Sequence, residues 1–178
     1  MNKYLISRRR FLKSSSVAAA GAAAISKLGP NIIAQEAAGV SILTDPADTI
    51  ANSVPPPWAL TQLKEALELK GKTVKRIENI AQTASGDFVV VASSGNGTLT
   101  VQIGAGVPDT PESVTVAGGI LMARPVVLVS GSDARGMVYS ILELTDRVLF
   151  YDSVTLAFTI TAPIVEQTRT KTRSVCKI

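Results

Sequence analysis

The side chains of this chain restrict the chemistry that it can perform. Its 178 residues include no histidine and one cysteine, Cys176. Nucleophilic machinery that depends on histidine is therefore excluded, and so are zinc sites built from histidine or from several cysteines. A disulfide within the chain is impossible. The groups left for chemistry are 14 carboxylates, together with lysine, tyrosine and hydroxyl side chains, and no cofactor is expected.

Pairs of carboxylates are the remaining candidates for acid–base catalysis. Hydrolysis of a glycosidic bond needs two carboxyl groups roughly 5–10 Å apart. Glu65 and Glu68 lie three positions apart on a predicted helix, and Asp146 and Asp152 flank the end of another. A polar helix face explains the first pair, and no apolar pocket is indicated that would raise the pKa of either member of the second. We therefore predict no catalytic residue in this chain.

A glycine-bounded turn with the sequence GSDARG, residues 131–136, joins a predicted strand to a predicted helix. Such turns can present backbone N–H groups to a phosphate. However, this one lacks the glycine spacing and the lysine of phosphate-binding loops, and an aspartate at the helix start would repel phosphate. A structural role is the favoured interpretation.

In that interpretation each of the following residues has a structural role. Gly131 permits a tight exit from the strand, and Asp133 caps the helix. Gly136 lets the first helical turn approach the sheet closely. Arg135 is expected to bridge to a carboxylate, and Tyr139 to place its ring in the core with its hydroxyl at the rim.

Hydrophobic spacing predicts the elements that must position these groups. Apolar residues three and four apart predict a helix over 58–69, ended by Gly71, and a longer helix that begins after Asp133. Strands are predicted over 40–43, 74–80, 87–92, 99–103, 112–117 (ended by Gly118-Gly119) and 126–130. The third and fourth of these are predicted to form a hairpin. The order favours an α+β fold, with a mixed, largely antiparallel sheet and two helices packed on one face.

The N-terminal residues form a pattern of their own. The stretch SRRRFLK, over 7–13, precedes a run of small apolar residues from Val17 to Leu28. It resembles a twin-arginine export signal, whose arginine pair is recognised by a translocase. The signal residues would be Arg8, Arg9, Phe11 and Leu12. The resemblance implies that the folded protein is exported through that translocase to the periplasm or to the outside of the cell.

Two other readings of the leader are open. An ordinary Sec signal shares the same plan of a charged start, an apolar run and small residues. A membrane anchor needs about 20 consecutive apolar residues, and Lys27 interrupts a shorter run here. We therefore expect no stable membrane span after cleavage.

The net charge argues against one class of partner, nucleic acid, and the length limits the number of domains. Six of the 18 basic residues lie in the first 27 positions, and the remaining 12 against 14 acidic residues leave a net charge of −2 beyond them. A short basic group near the C-terminus, between Arg169 and Lys177, is interpreted as a solvated segment. No nucleic-acid partner is expected. A length of about 140 residues after the leader suits one domain.

One segment resembles a known family. Residues 127–144, with the sequence VLVSGSDARGMVYSILEL, combine an apolar strand, a Gly-x-Asp-x-Arg-Gly turn and a helix that carries a tyrosine. This segment resembles the end of the small, noncatalytic N-terminal domain of α-glucuronidases and bacterial β-N-acetylhexosaminidases, which are glycoside hydrolases. Residues 111–116 resemble the preceding strand of that domain, and 58–71 its first helix.

The resemblance implies three segments and a role. Residues 1–38 would be the signal and a short linker, 39–155 the accessory domain, and 156–178 a linker with the start of a catalytic barrel. In the resembling enzymes the reaction centre lies in a TIM barrel that follows this domain. The implied partner is that barrel, and the chain alone would be inactive. The alternative is a small periplasmic binding or interaction module that uses an exposed face of the sheet.

Overall fold

A six-stranded sheet organises residues 39–167, the part of the chain that the computed structural model describes. The signal residues Arg8, Arg9, Phe11 and Leu12 lie outside it, as does the start of the predicted barrel. The strands are β1 Gly39–Thr44, β2 Thr73–Ile77, β3 Phe88–Ala92, β4 Val114–Leu121, β5 Arg124–Gly131 and β6 Ile164–Glu166. The helices are α1 Pro55–Leu69, α2 Thr98–Ile103, α3 Ala134–Phe150 and α4 Val154–Phe158, with a 3₁₀ turn at Ile80–Gln82.

The strand order is β2-β1-β3-β5-β4-β6. The α+β class and the mixed sheet are confirmed, but the balance of strand directions differs from the prediction. The pairs β1–β2, β1–β3 and β3–β5 are parallel, and only the two pairs made by β4 are antiparallel. Parallel neighbours need long crossover connections. α1 supplies one, and the segment that contains α2 and β4 supplies another.

Two helices pack on one face of the sheet, as predicted. Pro55 and Pro56 begin α1, where the missing N–H groups of proline cost nothing. Both helices turn an apolar stripe toward the sheet, and the stripes form one core with β1, β3 and β5. Its fully or nearly fully buried helix residues include Leu60, Leu63, Leu67, Met137, Ile141, Leu144 and Val148.

The other face of the sheet is also covered. Its buried residues include Leu43, Val91 and Leu128, and Leu99 and Ile103 of α2 pack against them. The predicted strand over 99–103 is therefore wrong, and so is its hairpin with 87–92. The sheet face that the alternative binding module would need is not exposed in the described residues.

The antiparallel hairpin of β4 and β5 is longer than predicted. β4 does not end at Gly118-Gly119 but continues to Leu121. A Cβ at Gly119 would lie 2.4 Å from Cγ2 of Ile103, so the glycine makes room for α2 to pack on the strand. The hairpin turns at Met122 and Ala123, whose φ angles are +47° and +62°.

The residues directly after 155 continue the same packed unit. Ala157 and Phe158 of α4 are buried, and the Phe158 ring meets the Phe88 ring edge to face at a centroid distance of 5.3 Å. β6 then pairs with β4 at the edge of the sheet. Between residues 39 and 167, no helix has the length and apolarity needed to cross a membrane.

Candidate functional site: the turn between β5 and α3

The parallel strands β1, β3 and β5 end at the same edge of the sheet. In open α/β sheets, ligands bind beyond the carboxyl ends of the strands, where the chain connections diverge. Three aspartates lie at this edge, Asp45 and Asp48 after β1 and Asp133 after β5. Their hydrogen bonds decide whether the edge is open to a ligand.

Asp133 is the N-cap of α3. Its Oδ1 accepts a hydrogen bond from the backbone N of Gly136 at 2.8 Å, and its Oδ2 accepts one from the backbone N of Glu112 at 2.9 Å. The carboxylate thus satisfies a free N–H group of the helix and holds the loop before β4. It occupies the place at the helix N-terminus that an anion would take.

Both glycines of the turn are required by close backbone approaches. A Cβ at Gly131 would lie 2.2 Å from the carbonyl carbon of Gly136 and from the N of Met137. A Cβ at Gly136 would lie 2.3 Å from the carbonyl oxygen of Ser113. These contacts are with backbone atoms, which cannot rotate away. The two glycines therefore let β5, α3 and the loop before β4 meet at one point.

Arg135 bridges to a carboxylate in this structure. Its Nη1 lies 3.0 Å from Oε1 of Glu112. The hydrogen bond to Glu112, followed by the charge of the same group, raises the pKa of Arg135 above its usual value. The Glu112 side chain is 12% exposed, whereas the Arg135 side chain is 73% exposed. A largely enclosed acid therefore pairs with an arginine that faces solvent.

Glu112 adopts a backbone conformation that is unusual for its residue type. Its φ is +59°, and a non-glycine residue in the left-handed region costs about 1–2 kcal/mol. An ion pair to a solvent-exposed arginine returns little of that cost. Contacts of the Glu112 backbone and of neighbouring hydroxyl groups must hold the loop in this shape.

Those hydroxyl contacts lie between the loop before β4 and the turn. Ser132 Oγ donates to the carbonyl oxygen of Thr110 at 2.7 Å and accepts from the backbone N of Ser113 at 3.1 Å. Ser113 Oγ also donates to the carbonyl oxygen of Thr110 at 2.7 Å. Sequence reasoning missed Glu112, Ser113 and Ser132. No local signal marks Glu112 and Ser113, because they meet the turn only through the pairing of β4 with β5. Ser132 lies within the turn, but its partners are in the same distant loop.

Tyr139 does not place its ring in the core, contrary to the prediction. The residue is 42% exposed and lies four positions after Arg135. Residues four apart share one side of a helix. Arg135 and Tyr139 therefore form a neighbouring pair on the outer side of α3.

Asp48 links the ends of β1 and β3, and the sequence did not predict it as a site residue. The residue is 7% exposed. Its Oδ2 accepts from the backbone N of Ser94 at 2.7 Å and from Ser93 Oγ at 3.2 Å, and its Oδ1 accepts from the backbone N of Ala51 at 3.0 Å. A Cβ at Gly97 would lie 2.6 Å from Oδ2. Asp48 and Asp133 are therefore both bound by the chain's own donors.

The carboxylate pairs named from the sequence have other surroundings. Glu68 lies 3.5 Å from Nζ of Lys64, one helical turn away, and Glu65 accepts a hydrogen bond from Gln62 Nε2 at 3.3 Å. Asp146 and Asp152 are exposed. No group of three or more metal-binding side chains occurs within residues 39–167.

Glu143, on α3, is a carboxylate with a shifted titration. Partial burial raises its pKa, and the charge of Glu166 on β6 raises it further, while Arg147 acts in the opposite direction. The side chain therefore lies between the like charge of Glu166 and the unlike charge of Arg147.

Within residues 39–167, five of the exposed large apolar side chains lie on the two long helices and six lie elsewhere. We call the solvent-facing side of α1 and α3 the outer helical surface. Its large side chains are 42% to 81% exposed: Trp58, Leu69, Tyr139, Leu149 and Phe150. Exposed aromatic and aliphatic residues of this kind are candidates for an interaction surface.

Comparisons with known proteins give matches to solved structures alone. No protein-family model matches the chain, and no curated protein sequence matches it. Similar structures include a GH138 enzyme targeting pectin rhamnogalacturonan II, with a TM-score of 0.48 and 18% identity over 72% of this chain and 15% of that one. A family GH115 4-O-methyl-α-glucuronidase with specificity for decorated arabinogalactans has a TM-score of 0.48 and 19% identity, over 64% of this chain and 14% of that one.

A third similar structure is CpGH84D, with a TM-score of 0.45 and 13% identity over 72% of this chain and 20% of that one. All three are glycoside hydrolase chains. This chain spans no more than 20% of the length of any of them.

Proposed function

We propose that the chain supplies an exported, noncatalytic N-terminal domain to a carbohydrate-active glycoside hydrolase. In this proposal the outer helical surface packs against a TIM-barrel catalytic domain and helps to hold it. The domain contributes support, and the barrel contributes the reaction centre.

The proposal rests on two features: the carboxylates at the sheet edge are hydrogen-bonded within the chain, and exposed aromatic side chains lie on the outer helical surface. At the sheet edge where a ligand would be expected, Asp48 and Asp133 accept hydrogen bonds from the chain itself. On the outer helical surface, Trp58 is 56% exposed and Phe150 is 61% exposed. Aromatic side chains are the commonest anchors of protein interfaces. The arrangement fits a domain that binds another protein surface better than one that binds a small molecule.

The sequence of the turn supports the choice of parent enzyme. The segment over 127–144 resembles the end of the accessory domain in α-glucuronidases and β-N-acetylhexosaminidases. In this chain Gly131, Asp133 and Gly136 join the sheet to the helix through close backbone approaches and a capping hydrogen bond. The leader over 1–38 supports export by the twin-arginine route, to the periplasm or beyond. A self-standing binding module is less favoured, because residues of α2 cover the sheet face that it would use.

The experiment begins with the natural gene. Reading about 300 codons past Ile178 is expected to show a barrel-coding region, since such barrels are about 250 residues long. The barrel and the present chain are then made as separate proteins and titrated by calorimetry. Binding in a 1:1 complex, weakened by Trp58→Ala, is the expected result. An unrelated downstream region, together with a purified chain that is a monodisperse monomer, would overturn the proposal.

A second assay tests the noncatalytic assignment. The purified chain is expected to turn over no aryl glycoside. Measurable turnover that disappears on replacement of a single carboxylate would show a reaction centre in this chain. It would contradict the proposal that the domain is noncatalytic.

A further inference from the structure

β1 lies inside the sheet, with β2 on one side of it and β3 on the other. Gly39, its first residue, is paired with Thr73 of β2, and Val40 is paired with Phe88 of β3. The side chains of Val40 and Ile42 are fully buried. In the described part of the chain, β1 therefore presents neither a free backbone edge nor an exposed face from its first residues onward.

The start of β1 is also enclosed by side chains. A Cβ at Gly39 would lie 2.7 Å from Oγ1 of Thr73 and 2.9 Å from Oδ1 of Asp87. The same carboxylate accepts a hydrogen bond from Ser41 Oγ, at 3.0 Å from Oδ2. A segment of another protein can therefore lie beside Gly39 only if β1 leaves the sheet.

Removal of an export leader by signal peptidase requires the opposite conditions. A protein that binds a peptide as an added strand uses the backbone N–H and C=O groups of that peptide. The residues on both sides of the cleaved bond must therefore have free backbone groups. The twin-arginine route delivers a folded cargo, so β1 is already paired when the peptidase acts.

We infer that the fold sets the C-terminal limit of leader removal: the bond between residues 38 and 39 is protected, and the mature chain begins before Gly39. The inference rests on the proposed function, because it takes the leader to be removed after folding and export. Leader cleavage prefers small residues three positions and one position before the bond. Ala24 and Ser26 meet this preference, and a cut after Ser26 leaves residues 27–38 ahead of β1.

The test places the preferred pattern on each side of the limit. Glu36→Ala puts small residues at positions 36 and 38, directly before Gly39, and the control Ile32→Ala puts them at 32 and 34, before Gln35. Each full-length, folded chain is treated with purified signal peptidase, beside a synthetic peptide of residues 31–44 that carries the same change. Mass spectrometry identifies the new N-termini and their rates of formation.

The cut between residues 38 and 39 is expected to be at least about 1000-fold slower in the folded Glu36→Ala chain than in its peptide, because β1 must leave the sheet first. The cut between residues 34 and 35 should proceed at similar rates in the Ile32→Ala chain and its peptide. Leu63→Ala, added to both chains, weakens the core at a fully buried position. It should speed the first cut and leave the second unchanged.

The outcomes separate this inference from the proposed function. Equal rates at 38–39 in the folded Glu36→Ala chain and in its peptide would overturn the limit. So would an exported, unaltered protein whose N-terminus is Gly39 or a later residue, although the proposed export would then stand. An unaltered chain that stays in the cytoplasm contradicts the proposed export, and the comparison with purified peptidase still decides whether the fold protects the bond.

Discussion

Gly131 shows how a single absent Cβ fixes the junction of strand and helix. Its φ lies outside the left-handed region, so conformational freedom is not the reason for glycine here. The reason is space, because a Cβ would meet backbone atoms of Gly136 and Met137 at 2.2 Å. The same argument applies to Gly136 against Ser113. Residue identity at this turn is therefore dictated by close packing of backbones.

We predict that Gly131→Ala lowers the free energy of unfolding by about 1–3 kcal/mol, the usual range for overpacking a tight site. The matched control is Gly106→Ala, because no heavy atom lies within 4 Å of a Cβ built there. That change should stay within about 0.5 kcal/mol. Urea denaturation of both variants measures the difference. Equal midpoints would contradict the close approach of β5 and α3.

Glu143 gives a prediction about pH. Its pKa is raised in the folded state, by burial first and by Glu166 second. Because the folded protein holds this proton more tightly than the unfolded chain, ionisation of Glu143 favours unfolding. The cost is fully present above the raised folded-state pKa, and it disappears as the pH falls to the ordinary range of glutamate, about 4.3.

Glu143→Gln is therefore expected to raise the thermal midpoint at neutral pH, and this gain should shrink as the pH is lowered toward the glutamate range. Scanning calorimetry at several pH values measures it. Glu65→Gln, at an exposed position of α1, provides the control for the change from glutamate to glutamine. A gain from Glu143→Gln that is constant with pH would contradict the assigned cause.

At the scale of elements, long periodic segments were predictable and short ones were not. α1 and α3 follow from apolar spacing over three or more turns, and β5 from a run of β-branched residues. The segment 98–103 satisfied two periods at once, since Leu99 and Ile103 suit either a strand or a helix. Val101 decides between them: in a half-buried strand it would share their face, but it is 68% exposed. Gly97 and Gly104 bound a helix there instead.

The direction of the strands depended on long-range pairing that local patterns do not contain. Adjacent strands in sequence suggested antiparallel neighbours, which holds for β4 and β5. β1 instead lies between β2 and β3, and both pairings are parallel. Likewise, the motif residues of the turn were foreseeable from Gly131 to Gly136. Glu112 and Ser113 joined them only because register brings Val114 opposite Gly131.

The β4–β5 hairpin carries a prediction at this scale. Met122 and Ala123 both have positive φ, the conformation of a type I′ turn, which Asn-Gly adopts with least strain. Replacing the pair by Asn-Gly should raise the free energy of unfolding by about 1–2 kcal/mol. The control is Arg124→Lys, the next position, which keeps φ and charge and should be neutral. Chemical denaturation decides, and a destabilised Asn-Gly variant would show that Met122 makes a contact that matters more than the strain.

At the scale of the whole molecule, the strand topology affects whether the chain should fold before or after it is transported. The centre of the sheet joins β1, β3 and β5 in parallel pairs across long stretches of sequence. Such pairing forms slowly and exposes apolar strands meanwhile. No disulfide contributes, because Cys176 is alone, so the fold has no need of an oxidising compartment. A chain of this kind benefits from folding before transport, which is the order that a twin-arginine signal implies.

We therefore predict that changing Arg8 and Arg9 together to lysine stops export and leaves folded, unprocessed protein in the cytoplasm. Cell fractionation with an antibody to the chain measures this, and Arg10→Lys, outside the pair, is the control that should still be exported.

The twin-arginine route also requires a folded cargo. Leu63→Ala opens a cavity at a fully buried position and costs about 2–5 kcal/mol, so it should reduce export of the otherwise unaltered chain. A Sec signal carries unfolded chains and would tolerate both the lysine pair and the core cavity. Export that survives both changes would assign the leader to that route.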